Sequence, residues 1–181
     1  MKPRRGFSLI ELLVVIAIVG LLASLVLPGL GRAKRTALCT SCLSNLHQIG
    51  LALDLYVQEN NDYLPSCAQL LSVNTNLPSI TAVLGPYLKT TAVFQCPEDH
   101  QVFPNEQTSY EWNLHLNGAS YSHPEDWTPA TREIVEVVFG GRLNTPLVGD
   151  AEAFHPASGA FTGKNALYFE GRVQRSRVLA F

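Results

Sequence analysis

Between Leu12 and Leu30 the chain runs for 19 residues, LLVVIAIVGLLASLVLPGL, without one charged side chain. Roughly 20 apolar residues in a helix cross the hydrocarbon core of a bilayer. The apolar region of a secretory signal is shorter, about 7–15 residues. The flanks decide between a membrane segment and a buried core helix. Lys2, Arg4 and Arg5 precede the run, and Arg32, Lys34 and Arg35 follow it. A basic N-terminus leading directly into an apolar run reads as a targeting or anchoring element. With three basic side chains on each side, orientation is nearly balanced, and the N-terminal amine tips it towards a cytoplasmic N-terminus.

The average composition hides this element. The 181 residues carry 13 basic and 15 acidic side chains, a net charge of −2. Residues 1–35 hold six basic groups against one acid, and residues 36–181 hold seven against fourteen. Such asymmetry points to a membrane or targeting role at the basic end. The acidic remainder argues against a nucleic-acid partner, because phosphate contacts need Lys and Arg.

The one acid in the basic segment is Glu11, at the edge of the apolar run and four residues past Phe7. A carboxylate near membrane depth is costly and marks a functional position whose partner has to be named. An ordinary signal peptide gains nothing from it, and no A-x-A-like cleavage site follows the run.

The stretch GFSLIELLVVIAIVGLLASLVLP, residues 6–28, resembles the leader junction and N-terminal helix of type IV pilins and type II secretion pseudopilins. That resemblance implies a leader, residues 1–6, which prepilin peptidase cuts between Gly6 and Phe7 on the cytoplasmic side. It implies N-methylation of Phe7. Glu11 matches the family's glutamate and Pro28 its helix proline. Residues 7–30 are then the transmembrane and assembly helix. The implied partners are prepilin peptidase, other pilin or pseudopilin subunits, an inner-membrane assembly platform and the lipid bilayer. Physics gives Glu11 a task in such a filament. Cleavage leaves a cationic amine on Phe7, and a buried charge is tolerated far better paired than alone. Glu11 of one subunit can neutralise the Phe7 amine of a neighbour. The alternative is that Glu11 serves the amides of its own helix's first turn.

Beyond the run, Leu38, Cys42, Leu46, Ile49, Leu53, Tyr56 and Val57 recur at helical spacing. They make residues 31–62 an amphipathic continuation of the helix, stopped by Glu59-Asn60-Asn61-Asp62. A helix from Phe7 to Asn60 would be roughly 80 Å long. Its first half then has to be covered by membrane or by other subunits. Pro28 and Gly29 are expected to weaken or kink it.

Residues 63–181 read as an exported head of short elements. Ile80–Tyr87 is expected to be helical. Ala92–Cys96, Ser109–Leu116 and Pro146–Gly149 are candidate strands. The clearest hairpin joins Asn165–Phe169 to Arg172–Arg175 through Glu170-Gly171. A helix followed by strands is an α+β arrangement. It is the pilin-like fold that the resemblance also implies, a long helix packed on a small antiparallel sheet. Residues 42–50 (CLSNLHQIG), Phe94-Gln95-Cys96-Pro97 and Phe169–Val173 also resemble a subgroup of bacterial pseudopilin-like proteins. In a related subgroup a His precedes an Asp-Gly. Here Glu170-Gly171 takes its place and His155 lies further upstream.

Cys39 and Cys42 form a CxxC in mid-helix, and no second CxxC completes a four-thiolate zinc site. They read as small apolar packing residues. Cys67 and Cys96 lie in expected loops and are the candidate disulfide. Asp150, Glu152 and His155 are the candidate metal ligands. Calcium is the cation that the resemblance suggests, since some pseudopilins hold it in a C-terminal loop. No catalytic fingerprint is present. The reading is a non-enzymatic filament subunit, with the helix in the bacterial inner membrane and the head in the periplasm. A membrane-anchored binding module that does not polymerise is the alternative.

Overall fold

The computed structural model describes residues 9–73, 76–157 and 160–176. Helix α1 covers Leu9–Glu59. The helix assignment is uninterrupted at Pro28 and Gly29, the expected weak point. The chain divides into two compact units, residues 1–37 and 38–181.

In the first unit every described side chain from Leu9 to Leu30 is exposed. Leu9, Ile16, Leu25 and Leu30 are 87, 62, 72 and 61% exposed. This part of α1 is long and apolar enough to cross a membrane, and none of its apolar window is buried.

The second unit builds a core around the rest of α1. Cys42, Leu46, Ile49, Leu53 and Val57 are buried along one face, as their spacing requires. Leu38 and Tyr56, at the ends of that stripe, are half-buried. Gly50 lets the sheet come close: a Cβ there would lie 3.0 Å from Leu167 Cδ1. α1 stops where Asn61 and Asp62 take left-handed φ of 54° and 67°, a conformation Asn and Asp tolerate better than most residues. Leu64 and Tyr121 then donate backbone N–H groups to Ala119 and Asp62, tying the helix exit to the head.

The sheet has four strands: β1 (Tyr110–Trp112), β2 (Pro146–Asp150), β3 (Asn165–Tyr168) and β4 (Val173–Arg175). They form an antiparallel meander in chain order. β1, β2 and β3 are buried throughout, and only β4 is partly exposed. The β3–β4 hairpin is the expected one, turning through Glu170 and Gly171 at φ of 64° and 70°. This is the α+β, pilin-like arrangement expected from the sequence.

Three local expectations need correction. Residues 91–94 form a 3₁₀ turn and not a strand, because the Thr90 hydroxyl accepts the Ala92 N–H and starts a helical turn. The Ser109–Leu116 strand keeps only Tyr110–Trp112. There the Asn113 side chain accepts the His115 N–H and turns Leu114–Leu116 into 3₁₀. The expected helix at residues 80–87 is split into α2 (Ile80–Leu84) and a 3₁₀ turn over Gly85–Tyr87. Two further helices were not expected, α3 (Phe103–Glu106) and α4 (Pro129–Val137). Thr128 accepts the Thr131 N–H and Pro129 fills the first turn, so α4 starts on an N-cap followed by proline.

Candidate functional site

Two places carry chemistry, the start of α1 and a polar cluster inside the head. Gly6 and Phe7 lie outside the described residues. Glu11 sits in the first described turn of α1 and is exposed, with Ile10, Val14 and Val15 around it. It is the only acid on the described apolar stretch. These three neighbours are apolar.

The head cluster gathers at the disulfide. The bond joins Cys42 to Cys96, with Cα atoms 5.3 Å apart. This corrects the expected Cys67–Cys96 pair. The amphipathic face of α1 points Cys42 into the head, where the loop after residues 91–94 delivers Cys96. Cys67 stays a buried thiol, with burial pushing its pKa up to about 12. Its backbone is held elsewhere, by the Asn117 side chain. Cys39 is also a free buried thiol, 3.8 Å from Asn165 Oδ1.

Pro97-Glu98-Asp99 shapes the loop around Cys96. The Asp99 carboxylate accepts N–H groups from Gln101, Val102 and Phe103 and the Ser109 hydroxyl, at 2.6–2.9 Å. Burial works against its ionisation, but the Ser109 and backbone donors win and hold its pKa below the usual value. The Ser109 hydroxyl in turn accepts the Cys96 N–H at 2.9 Å.

His155 stands between two carboxylates. Nδ1 lies 2.5 Å from Glu98 Oε2, and Nε2 lies 3.3 Å from Asp150 Oδ2 and 3.8 Å from Cys96 Sγ. Burial alone would lower the His155 pKa, but Asp150 and Glu98 outweigh it and raise it. Asp150 Oδ2 also accepts the Asn165 N–H at 2.7 Å. Asp150 Oδ1 is buried without a hydrogen-bond partner.

Of the three candidate calcium ligands, the structure brings together Asp150 and His155 and leaves Glu152 exposed. An imidazole replaces the hard oxygen donors that calcium prefers, so these three residues do not form a calcium cradle. Glu98, Asp99 and Cys42 are the members that the sequence reading missed. The Cys-Pro-Glu-Asp run at 96–99 was the signal for the two acids, which follow a cysteine and a turn-forming proline.

A second buried pair lies nearby. Lys164 Nζ donates to Glu111 Oε1 and to the Ala151 carbonyl, each at 2.9 Å. Gln69 donates to the other Glu111 oxygen at 2.9 Å. Neither charge was expected inside the head.

Comparison with known proteins agrees with the first of these two places. The family described as the prokaryotic N-terminal methylation motif matches residues 1–27. The chain is similar to the type II secretion system core protein G of Klebsiella pneumoniae, 36% identical over 99 residues, covering 55% of this chain and 70% of that one. The Aeromonas hydrophila core protein G is 37% identical over 101 residues, covering 55% and 70%. The Escherichia coli core protein G is 35% identical over 96 residues, covering 53% of this chain and 66% of its own length, just under two thirds. A type IV wide pilus major component of Thermus thermophilus is 37% identical over 73 residues, covering 40% and 56%. No solved structure matches the chain. With a methylation motif at its start, an exposed apolar helix and an α+β head, the chain belongs to the pilin-like family of type II secretion core protein G.

Proposed function

We propose that the chain is a structural subunit of a type II secretion pseudopilus or a related pilus-like filament. In this reading residues 1–6 are a leader removed by prepilin peptidase between Gly6 and Phe7, and Phe7 is then methylated. Residues 7–30 cross the inner membrane with the N-terminus in the cytoplasm, until an assembly platform extracts the subunit into the filament. Residues 31–62 continue the helix into a periplasmic head, residues 63–181. No catalytic role is assigned to it.

The observation that carries the reading is the surface of α1 from Leu9 to Leu30, exposed on every described side chain and apolar but for Glu11 and Ser24. Such a surface in water is strongly unfavourable, at roughly 25 cal/mol per Å² of apolar area. Membrane lipid covers it before assembly, and neighbouring helices cover it afterwards. Glu11 gives the packed helices a register. Next to the Phe7 amine of a neighbour it forms a paired charge, whereas any axial slip leaves two charges unpaired in an apolar surround.

Mass spectrometry of the mature N-terminus, together with the Glu11→Ala variant, tests this. The expected N-terminus is N-methylated Phe7, and Glu11→Ala is expected to be processed and inserted but not polymerised. An N-terminus elsewhere removes the reading. Processing at Phe7 without any filament in the wild type would instead leave an anchored binding module.

A further inference from the structure

The disulfide has a neighbour that a plain cross-link does not need. The donor atoms of Cys42, Cys96 and His155 all lie within 4.8 Å of one another, and all three residues are buried. Asp150 Oδ2 lies beside this group, 3.3 Å from His155 Nε2. The four side chains come from four segments: α1, the loop at 95–98, the end of β2 and the loop after it.

We propose that, when the Cys42–Cys96 bond is reduced, Cys42, Cys96, His155 and Asp150 hold a zinc ion. Zinc takes thiolate, imidazole and carboxylate ligands in a tetrahedron, with metal–sulfur distances near 2.3 Å and metal–nitrogen or –oxygen distances near 2.0–2.1 Å. Those lengths place tetrahedral N and O ligands roughly 3.3 Å apart and S and N ligands roughly 3.5 Å apart. The structure has 3.3 Å between His155 Nε2 and Asp150 Oδ2, and 3.8 Å between His155 Nε2 and Cys96 Sγ. The two sulfurs, bonded to each other in the disulfide, must separate to roughly 3.8 Å, and the Asp150 carboxylate has to close on them.

Two further observations point the same way. A metal-binding imidazole commonly donates its far N–H to a carboxylate, which fixes the ring and its tautomer. Glu98 stands at that position on His155 Nδ1, at 2.5 Å. Asp150 Oδ1 is buried with no hydrogen-bond partner, although buried polar atoms are nearly always satisfied. A buried carboxylate with one unsatisfied oxygen, its other oxygen against the imidazole, offers a further donor to a cation held by that imidazole.

The redox step balances simply. A dithiol reductant supplies two electrons and two protons, opens the S–S bond and leaves as its own disulfide. Zinc then displaces the protons of both thiols and of His155 Nε2. The disulfide and the metal would be alternative cross-links between the same helix and the same loop, one for oxidising and one for reducing surroundings.

The full chain in detergent micelles, reduced and then titrated with cobalt(II), tests this without any substitution. A tetrahedral site with two thiolates gives a thiolate-to-cobalt charge-transfer band whose intensity counts the sulfurs. The expected result is one cobalt per chain with two thiolates, displaced one for one by zinc, and none bound by the oxidised chain. Absence of the band, a thiolate count other than two, or equal binding by the oxidised chain overturns the proposal. Cys39→Ser and Cys67→Ser should keep the band, and Cys96→Ser should lose it. Loss in Cys39→Ser with retention in Cys96→Ser would assign the metal to the helical CxxC and sink the four-residue site.

Discussion

The two units break the usual rule of polar outside and apolar inside in opposite directions. The first half of α1 turns leucine, isoleucine and valine outwards over more than twenty residues. The head instead takes Lys164, Glu111, Asp150, His155 and Asp99 inside. The head compensates for each of these locally with hydrogen bonds or an opposite charge. Among the described residues nothing covers the apolar surface of the helix, so its compensation comes from lipid or from other subunits. What stabilises the head is therefore written within it, and what stabilises the helix is written in its surroundings. Substitutions should separate the two.

The largest expected effect is in the head. Lys164→Met leaves the Glu111 carboxyl buried without its cation, with Gln69 still bonded to it. Breaking a buried pair from one side costs about 3–5 kcal/mol. Denaturant unfolding should show that loss, while membrane insertion stays normal. The double variant Lys164→Met/Glu111→Leu should recover most of it, because neither charge is then stranded. If the single variant unfolds at the wild-type denaturant concentration, the buried pair does not hold the head together.

Val19→Asp is the converse experiment. A carboxylate at the centre of a spanning helix costs about 2.5–3.5 kcal/mol on insertion scales. Extraction of membranes at alkaline pH should release more of this variant than of the wild type, while the head unfolds at an unchanged temperature. A shift in head stability would show that the two regions are not energetically separate.

The same contrast explains what could be read in advance. The apolar run, the spacing of Gly6, Phe7 and Glu11, and the 42–57 stripe are local patterns with a known period, and all were visible. So was the hairpin, because Gly171 marks its turn. The start of α4 was also written locally, in Thr128-Pro129 with Thr131 three residues on, but it competed with a composition rich in turns. The disulfide partner and the His155 cluster were not legible. They join residues 54 and 57–59 positions apart, and sequence separation says nothing about which loops meet. Cys67, in an expected loop, looked the better partner for Cys96 than the helical Cys42, until the helix face and the loop at 95–98 were placed.

Gly163→Ala tests a smaller feature of the head. Its φ is +84°, and a Cβ there would sit 2.3 Å from the His155 carbonyl oxygen. The Gly163 carbonyl accepts the His155 N–H at 3.0 Å, so the glycine closes the loop that carries His155. Strain of this kind costs about 1–3 kcal/mol. Thermal unfolding should drop by several degrees. An unchanged midpoint would mean that the loop moves aside freely and does not fix His155.

The smallest effect is expected where α1 leaves for the head. Asp62 accepts the Ser120 and Ser122 hydroxyls at 2.7 Å each and the Ser122 N–H at 2.8 Å. Partial burial opposes ionisation. Ser122 and Ser120, and then His123, outweigh it and hold the Asp62 pKa below its ordinary 3.8. His123 is itself paired with Glu125 at 2.9 Å, so it adds little to Asp62. A carboxyl whose pKa is depressed in the folded state stabilises that state fully above its unfolded pKa. The contribution is lost as pH falls through the folded value. In Asp62→Asn the serine contacts weaken at every pH and the acid-dependent loss disappears. Stability measured from neutrality down to about pH 2 should therefore fall more steeply for wild type than for Asp62→Asn below about pH 4. Both curves should run parallel above that range. Parallel curves all the way down would show that Asp62 ionisation is not part of what fastens the helix exit to the head, and that the hydrogen bonds there act without the charge.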